Sequence, residues 1–318
     1  MKSLTIISLI LIASLLIVAS LALIIPSMDD FDLNNPSWNG LSKFNSRIKP
    51  ILNLEELNPI DSVLFLIGPS KPFSESEALT IKTFLKEGGT VVLMDDYGFG
   101  NDLLAMLNVN ARFANVEMRD PLFRGKDSRL VKIIDFKASP YTLNVSSLTL
   151  NCATILVNVK ESEVLAYSTP FSYLDENGNG LPDEKEPKGP FPIIAKIEYE
   201  KGILILISDS SLFINSMIDD NYALLRNLTC YKRVFIDNFH WEPSKLTLFK
   251  VKLRKTYDFV KTSEIKYTLL ALLAILTFKL KWKSKEESEL KKVLKMHPEW
   301  NKELLRKLEE ERLEGGKS

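Results

Sequence analysis

Residues 62–94 read SVLFLIGPSKPFSESEALTIKTFLKEGGTVVLM. Ser62 to Ile67 is a continuous apolar run that stops at Gly68-Pro69, the pattern of a strand covered on both faces. Ser74, with Glu77 three residues on, is a capping box that starts a helix. Ala78, Ile81, Phe84 and Leu85 recur at helical spacing, and Gly88-Gly89 ends that helix. Thr90 to Met94 repeats the buried-strand pattern. Gly98, Gly100 and Asn101 then turn into a short helix over Asp102 to Leu107. Strand–helix–strand–helix order predicts an α/β fold, with an open, mostly parallel sheet and helices on both faces.

Downstream the pattern becomes more β-like. Strands are expected at Leu130 to Phe136, Thr154 to Val159 and Glu163 to Tyr167. Ile193 to Tyr199 and Ile203 to Ser208, joined around Lys201-Gly202, read as a hairpin. Asp209-Ser210-Ser211 caps an expected helix from Leu212 to about Leu228, and Arg233 to Asp237 reads as a last strand. Upstream, residues 27–58 (Asn35-Pro36, Asn39-Gly40, Pro50) read as a linker and domain edge.

Two apolar runs bracket this region. Leu4 to Ile25 is almost uninterrupted and is followed by Pro26, Asp29, Asp30 and Asp32. About 20 apolar residues span a bilayer as a helix, whereas a signal peptide's apolar region is usually about 7–15 residues. The length favours an uncleaved anchor over residues 1–26; Ala19 to Ala22 keeps a cleaved signal peptide open. Tyr267 to Phe278 reaches spanning length over 265–282 if Lys266 and Lys279 snorkel; a buried or interfacial helix is the alternative. Lys2 before the first run, and Lys279, Lys281, Lys283 and Lys285 around the end of the second, place both termini in the cytoplasm. The expected organisation is an anchor at 1–26, an extracytoplasmic domain at 59–245, a juxtamembrane segment at 246–264, a second span at 265–282 and a charged helical tail at 283–318. In the tail, Leu290, Val293 and Leu294, and then Leu304, Leu305 and Leu308, form stripes separated by His297-Pro298. The bilayer is the first expected partner.

Lys plus Arg and Asp plus Glu each number 41 among the 318 residues. That balance gives no reason to expect a nucleic-acid partner. Cys152 and Cys230 are read either as one disulfide or as two reduced thiols. Asn144-Val-Ser146 and Asn227-Leu-Thr229 fit the glycosylation acceptor pattern.

The segments LFLIGPSKPFSESEALTIKTFLKEGGTVVLMDDYGFGNDLLAMLNV, GILILISDSSLFINSMIDDNYALLRNL and VFIDNFHW resemble the membrane-anchored domain of unknown function 4350 family, over most of residues 36–241. That family is similar in fold to the class I glutamine-amidotransferase-like group, so the resemblance implies an open α/β sheet. It also implies an envelope complex with a MoxR-type ATPase and von Willebrand A-like proteins. The Lys-, Glu- and Ile-rich composition looks archaeal.

An active amidotransferase-like site needs a Cys on a tight strand-to-helix elbow and a His to take its proton. Cys152 has no Gly-rich elbow, and Cys230 follows a helix end. Ser208 to Ser211 lacks the flanking glycines of a serine elbow. Two histidines in the chain exclude a His-rich zinc site. His240, beside Trp241 and near Asp237, is a site fragment or a packed ring. Asp95, Asp96, Asn101, Asp102 and Asp209 fall at strand ends, where open α/β sheets bind ligands; helix capping explains the same residues. A non-enzymatic surface protein that binds a protein or glycan is the expected function, with an extracytoplasmic hydrolase as the alternative.

The most specific chemical pattern is DENGNGLPDEKE at 175–186. Asp175, Asn177, Asn179, Asp183 and Glu186 stand at positions 1, 3, 5, 9 and 12 of a twelve-residue calcium loop. Leu181 supplies the position-7 carbonyl, and Gly180 stands at the position-6 turn. Pro170, Pro187 and Gly189-Pro190 exclude the flanking helices of an EF-hand. A structural calcium ion is therefore expected, at extracellular-range affinity of about 10⁻⁴–10⁻³ M.

Overall fold

The computed structural model describes residues 2–52, 56–262 and 293–315, with scattered positions between 264 and 275. It divides into two compact units, Met1–Lys250 and Val251–Ser318. The helices are α1 (Lys2–Ile24), α2 (Ser42–Ile48), α3 (Glu75–Lys86), α4 (Gly100–Met106), α5 (Tyr222–Thr229), α6 (Lys245–Lys261) and α7 (Lys302–Gly315). The main sheet holds β1 (Ser62–Ile67), β2 (Thr90–Met94), β3 (Asp135–Phe136), β4 (Val164–Tyr167), β5 (Pro192–Tyr199), β6 (Gly202–Ile207) and β7 (Arg233–Ile236).

These seven strands lie in the order β7-β1-β2-β6-β5-β4-β3. The first four are mutually parallel. The β5–β6 hairpin then reverses direction, and β4 and β3 continue antiparallel. The sheet is mixed, with a parallel half and an antiparallel half. Alternation splits each parallel strand between two cores. Leu64, Leu66, Val91, Leu93, Leu204 and Leu206 pack with Ala78, Ile81, Phe84 and Leu85 of α3. Val63, Phe65, Ile67, Val92, Met94, Ile205 and Ile207 pack with Phe44 of α2 and Leu224, Leu225 and Leu228 of α5. Cover on both faces explains why these strands read as unbroken apolar runs.

The Ser74 capping box forms as expected: the Glu77 amide donates to Ser74 Oγ, and the Ser74 amide donates to Glu77 Oε2. Gly88 ends α3 at φ +105°, a conformation L side chains rarely adopt. Residues 27–52 are more than a linker: Leu33, Leu41 and Phe44 are buried, and Ile51 bridges Phe235 at the sheet edge.

Two expectations are corrected. Leu130–Phe136 and Thr154–Val159 are not full strands; they yield the two-residue pieces Lys132–Ile133, Asp135–Phe136 and Leu156–Val157. The helix expected from Leu212 begins only at Tyr222. Leu212, Phe213, Ile214, Met217 and Ile218 are all buried, so no polar face remains for a surface helix. Asn215 Nδ2 donates to the Asn35 and Ser37 carbonyls, which holds this segment as turns.

α1 covers 23 residues, and the side chains of several of them lie outside the description. Among the described residues, no helix is long and apolar enough to cross a membrane. Most of the second apolar run, residues 265–282, lies outside the described residues, as does Leu290. In the tail, a break at His297-Pro298 precedes α7, where Leu304 and Leu308 are exposed.

Candidate functional site

Asp95 and Asp96 follow β2, Asp209 follows β6 and Asp237 follows β7, so the topology gathers four carboxylates at one edge of the sheet. Most of their oxygens serve the backbone. Asp95 Oδ1 accepts from the Asp96 and Gly98 amides at 2.8 Å, and Oδ2 accepts from the Gly100 amide at 2.6 Å, which caps α4. Asp96 Oδ1 accepts from the Tyr97 amide, and Oδ2 accepts from Ser210 Oγ at 3.0 Å. Asp209 Oδ1 and Oδ2 accept from the Ser211 and Asn151 amides at 2.6 and 2.8 Å. Asn101 pairs both amide atoms with the Phe113 backbone, and Asp102 is exposed in the first turn of α4.

Burial moves Asp95, Asp96 and Asp209 upward. Asp95 rises to about 6: burial outweighs the three amide bonds, and the Asp96 charge adds to the rise. Asp209, fully buried and facing Asp96, rises to about 8. Burial also raises the Cys152 thiol, against nucleophilic use. Cys152 and Cys230 are both free thiols. Asn227 Nδ2 donates to the Tyr141 and Leu143 carbonyls, so the second glycosylation acceptor is occupied; Asn144 is exposed.

The sequence did not bring Glu77 to His240, and the fold does. His240 Nδ1 lies 2.5 Å from Asp237 Oδ2, and Nε2 lies 3.6 Å from Glu77 Oε2. The ring stacks on Phe73 at 3.9 Å. Burial works against its charge, but the Asp237 hydrogen bond and the two carboxylates prevail and raise it. Beside this group opens a cavity of about 340 Å³ walled by Leu64, Leu66, Phe73, Ile81 and Phe239. The readable signals were Asp237-x-x-His240 and Ser74-x-x-Glu77; their juxtaposition depends on β7 lying beside β1.

The calcium-like loop lies elsewhere, after the two-residue ladder that pairs Tyr173–Leu174 with Met118–Arg119. Asp175 Oδ2 accepts from the Gly180 amide at 3.0 Å and lies 2.8 Å from Arg119 Nε. Asn177 Oδ1 accepts from the Asn179 amide, and Asn179 Oδ1 from the Leu181 amide. Both Asn side chains donate to Asp183 Oδ2, at 2.6 and 3.0 Å. Glu186 is buried, and its two oxygens accept from the Glu176 and Asp183 amides. All six expected ligand residues thus belong to one wrapped loop. Among the described residues, no group of three or more His, Cys, Asp or Glu is arranged to hold a metal, Asp175, Asp183 and Glu186 included.

No curated protein matches the chain. Among solved structures, the N-terminal domain of mmIFT52 is similar at 15% identity and a TM-score of 0.43, over 59% of this chain and 88% of that one. A β-galactosidase from Bacillus circulans sp. alkalophilus is similar at 15% identity and a TM-score of 0.33, over 52% of this chain and 22% of the enzyme. A ThuA-like protein from Bacteroides uniformis is similar at 13% identity and a TM-score of 0.34, over 61% of this chain and 78% of that one. The model of one family, described as domain of unknown function DUF4350, matches residues 34–229, more than half of the sequence, and the chain belongs to that family.

Proposed function

We propose that this is a non-enzymatic, membrane-anchored surface protein whose α/β domain, amidotransferase-like in fold, binds a protein or glycan partner outside the cytoplasm. The observation that carries the anchor is α1: Ile10, Leu11, Leu15, Ile17, Val18 and Ile24 are all more than half exposed. Apolar side chains exposed at these positions suit hydrocarbon better than water. The absence of catalysis is supported by the strand-end carboxylates, whose oxygens cap turns and helices, and by the raised Cys152 thiol. The cavity beside His240 has an apolar wall with Glu77, Asp237 and His240 also lining it, which favours a protein side chain over a glycan. The tail contacts an intracellular partner such as a MoxR-type ATPase.

The test is a photo-crosslinking residue in place of Phe239, which is 64% exposed at the cavity rim, in the full chain in its own membrane. The reading expects one discrete protein adduct that disappears when Thr80→Arg fills the mouth. Absence of an adduct, or an adduct indifferent to Thr80→Arg, contradicts it. The second reading is a hydrolase, favoured by the raised Asp95 and Asp209 carboxyls, since perturbed acids gather at functional sites. Hydrolysis lost on Asp96→Asn, with the urea midpoint unchanged, would establish it in place of the first.

A further inference from the structure

We infer that residues 175–186 bind one calcium ion through Asp175 Oδ1, the side-chain oxygens of Asn177, Asn179, Asp183 and Glu186, and the Leu181 carbonyl. The inference rests on this loop alone and is independent of membrane attachment or partner. Spacing suggests the site, and one atom argues for it separately. The Asp175 side chain is 1% exposed. Its Oδ2 is engaged by Arg119 and the Gly180 amide, yet Oδ1 is buried with no hydrogen-bond partner. A buried carboxylate oxygen without a donor is costly, and a cation at that point satisfies it.

The remaining donors fit a hard cation. Asn177 Oδ1 and Asn179 Oδ1 each accept one backbone amide, which leaves a second lone pair on each. Glu186 Oε1 and Oε2 do the same. Asp183 receives both Asn amide groups on one oxygen, so the loop's own amides stand where a cation's charge would serve. The loop holds five carboxylates against Lys185, and Arg119 beside Asp175 is shared with Glu117, an excess of negative charge that suits a divalent ion. An all-oxygen set that includes neutral amides and a flexible loop suits calcium better than magnesium, which demands tight octahedral geometry. With no helix entering or leaving, binding stiffens the loop against the Met118–Arg119 ladder and opens no groove.

The experiment is thermal denaturation of the detergent-solubilised full chain, stripped with chelator and titrated with calcium chloride or magnesium chloride. Extracellular-range affinity predicts a Tm rise of about 3–10 °C at 10 mM calcium and a smaller rise with magnesium. Glu186→Gln and Asp183→Asn, the second at a half-buried position that leaves the Arg119 pair intact, should each weaken the response at least about tenfold in calcium concentration. No rise, a rise that magnesium matches, or a rise that both variants keep overturns the site.

Discussion

Arg119→Met tests the electrostatics that hold the loop to the domain. Arg119 Nε is 2.8 Å from Asp175 Oδ2, with side chains 15% and 1% exposed. Met retains most of the packing and removes the charge, leaving the carboxylate with the Gly180 amide as its one hydrogen-bond donor. Removing one partner of a buried pair costs about 3–5 kcal/mol because the other charge stays buried. Arg119 retains some contact with water, so about 3 kcal/mol is expected. For a unit of this size that is a fall in Tm of about 6–12 °C. Urea melts in EDTA, followed by the fluorescence of Trp38 and Trp241, measure it. Asp175→Asn and the double variant complete a cycle whose coupling should be about 2 kcal/mol or more. Calcium should restore more stability to Arg119→Met than to the parent, because the ion supplies the missing positive charge. A loss below about 1 kcal/mol with additive single effects would refute this account, placing the pair among solvated surface bridges.

Asp95→Ala removes the acceptor of three amides, one of them fully buried, and should cost about 3 kcal/mol at pH 5 by urea denaturation. Asp95 is raised to about 6 by burial, so its contribution is full below the unfolded value of about 4 and declines as pH rises to 6; the deficit of the variant should shrink by pH 8. Asp209, raised to about 8, should make stability fall across about pH 4–8, and Asp209→Asn should flatten that slope. His240, raised by Asp237 and Glu77, stabilises fully below the unfolded value of about 6.5 and loses that stabilisation above it. The melting temperature of His240→Gln should therefore converge on the parent's as pH rises from about 6.5.

The parallel half of the sheet was legible because burial on both faces writes a strand as an unbroken apolar run. The α3 start was legible because its capping box is local. Residues 130–159 were not, since their partners pair two residues at a time and the Asn221 side chain, bonded to both backbone groups of Thr149, stands in for a continuous ladder. The short α5 was hidden because 212–215, 217 and 218 are buried, with Ser216 alone exposed among them, which offers no helical period to read. The loop ligands were local and readable. Arg119, which neutralises one of them, lies on a different segment and carries no local mark. Glu77 was read as a cap, and its approach to His240 came only from the sheet order.

The central claim, a binding domain held outside the cytoplasm, is tested most directly by Cys230, a free and exposed thiol. Intact cells treated with a membrane-impermeant maleimide should label it fully, and Cys230→Ser should abolish that labelling. Labelling that appears only after lysis would contradict the account.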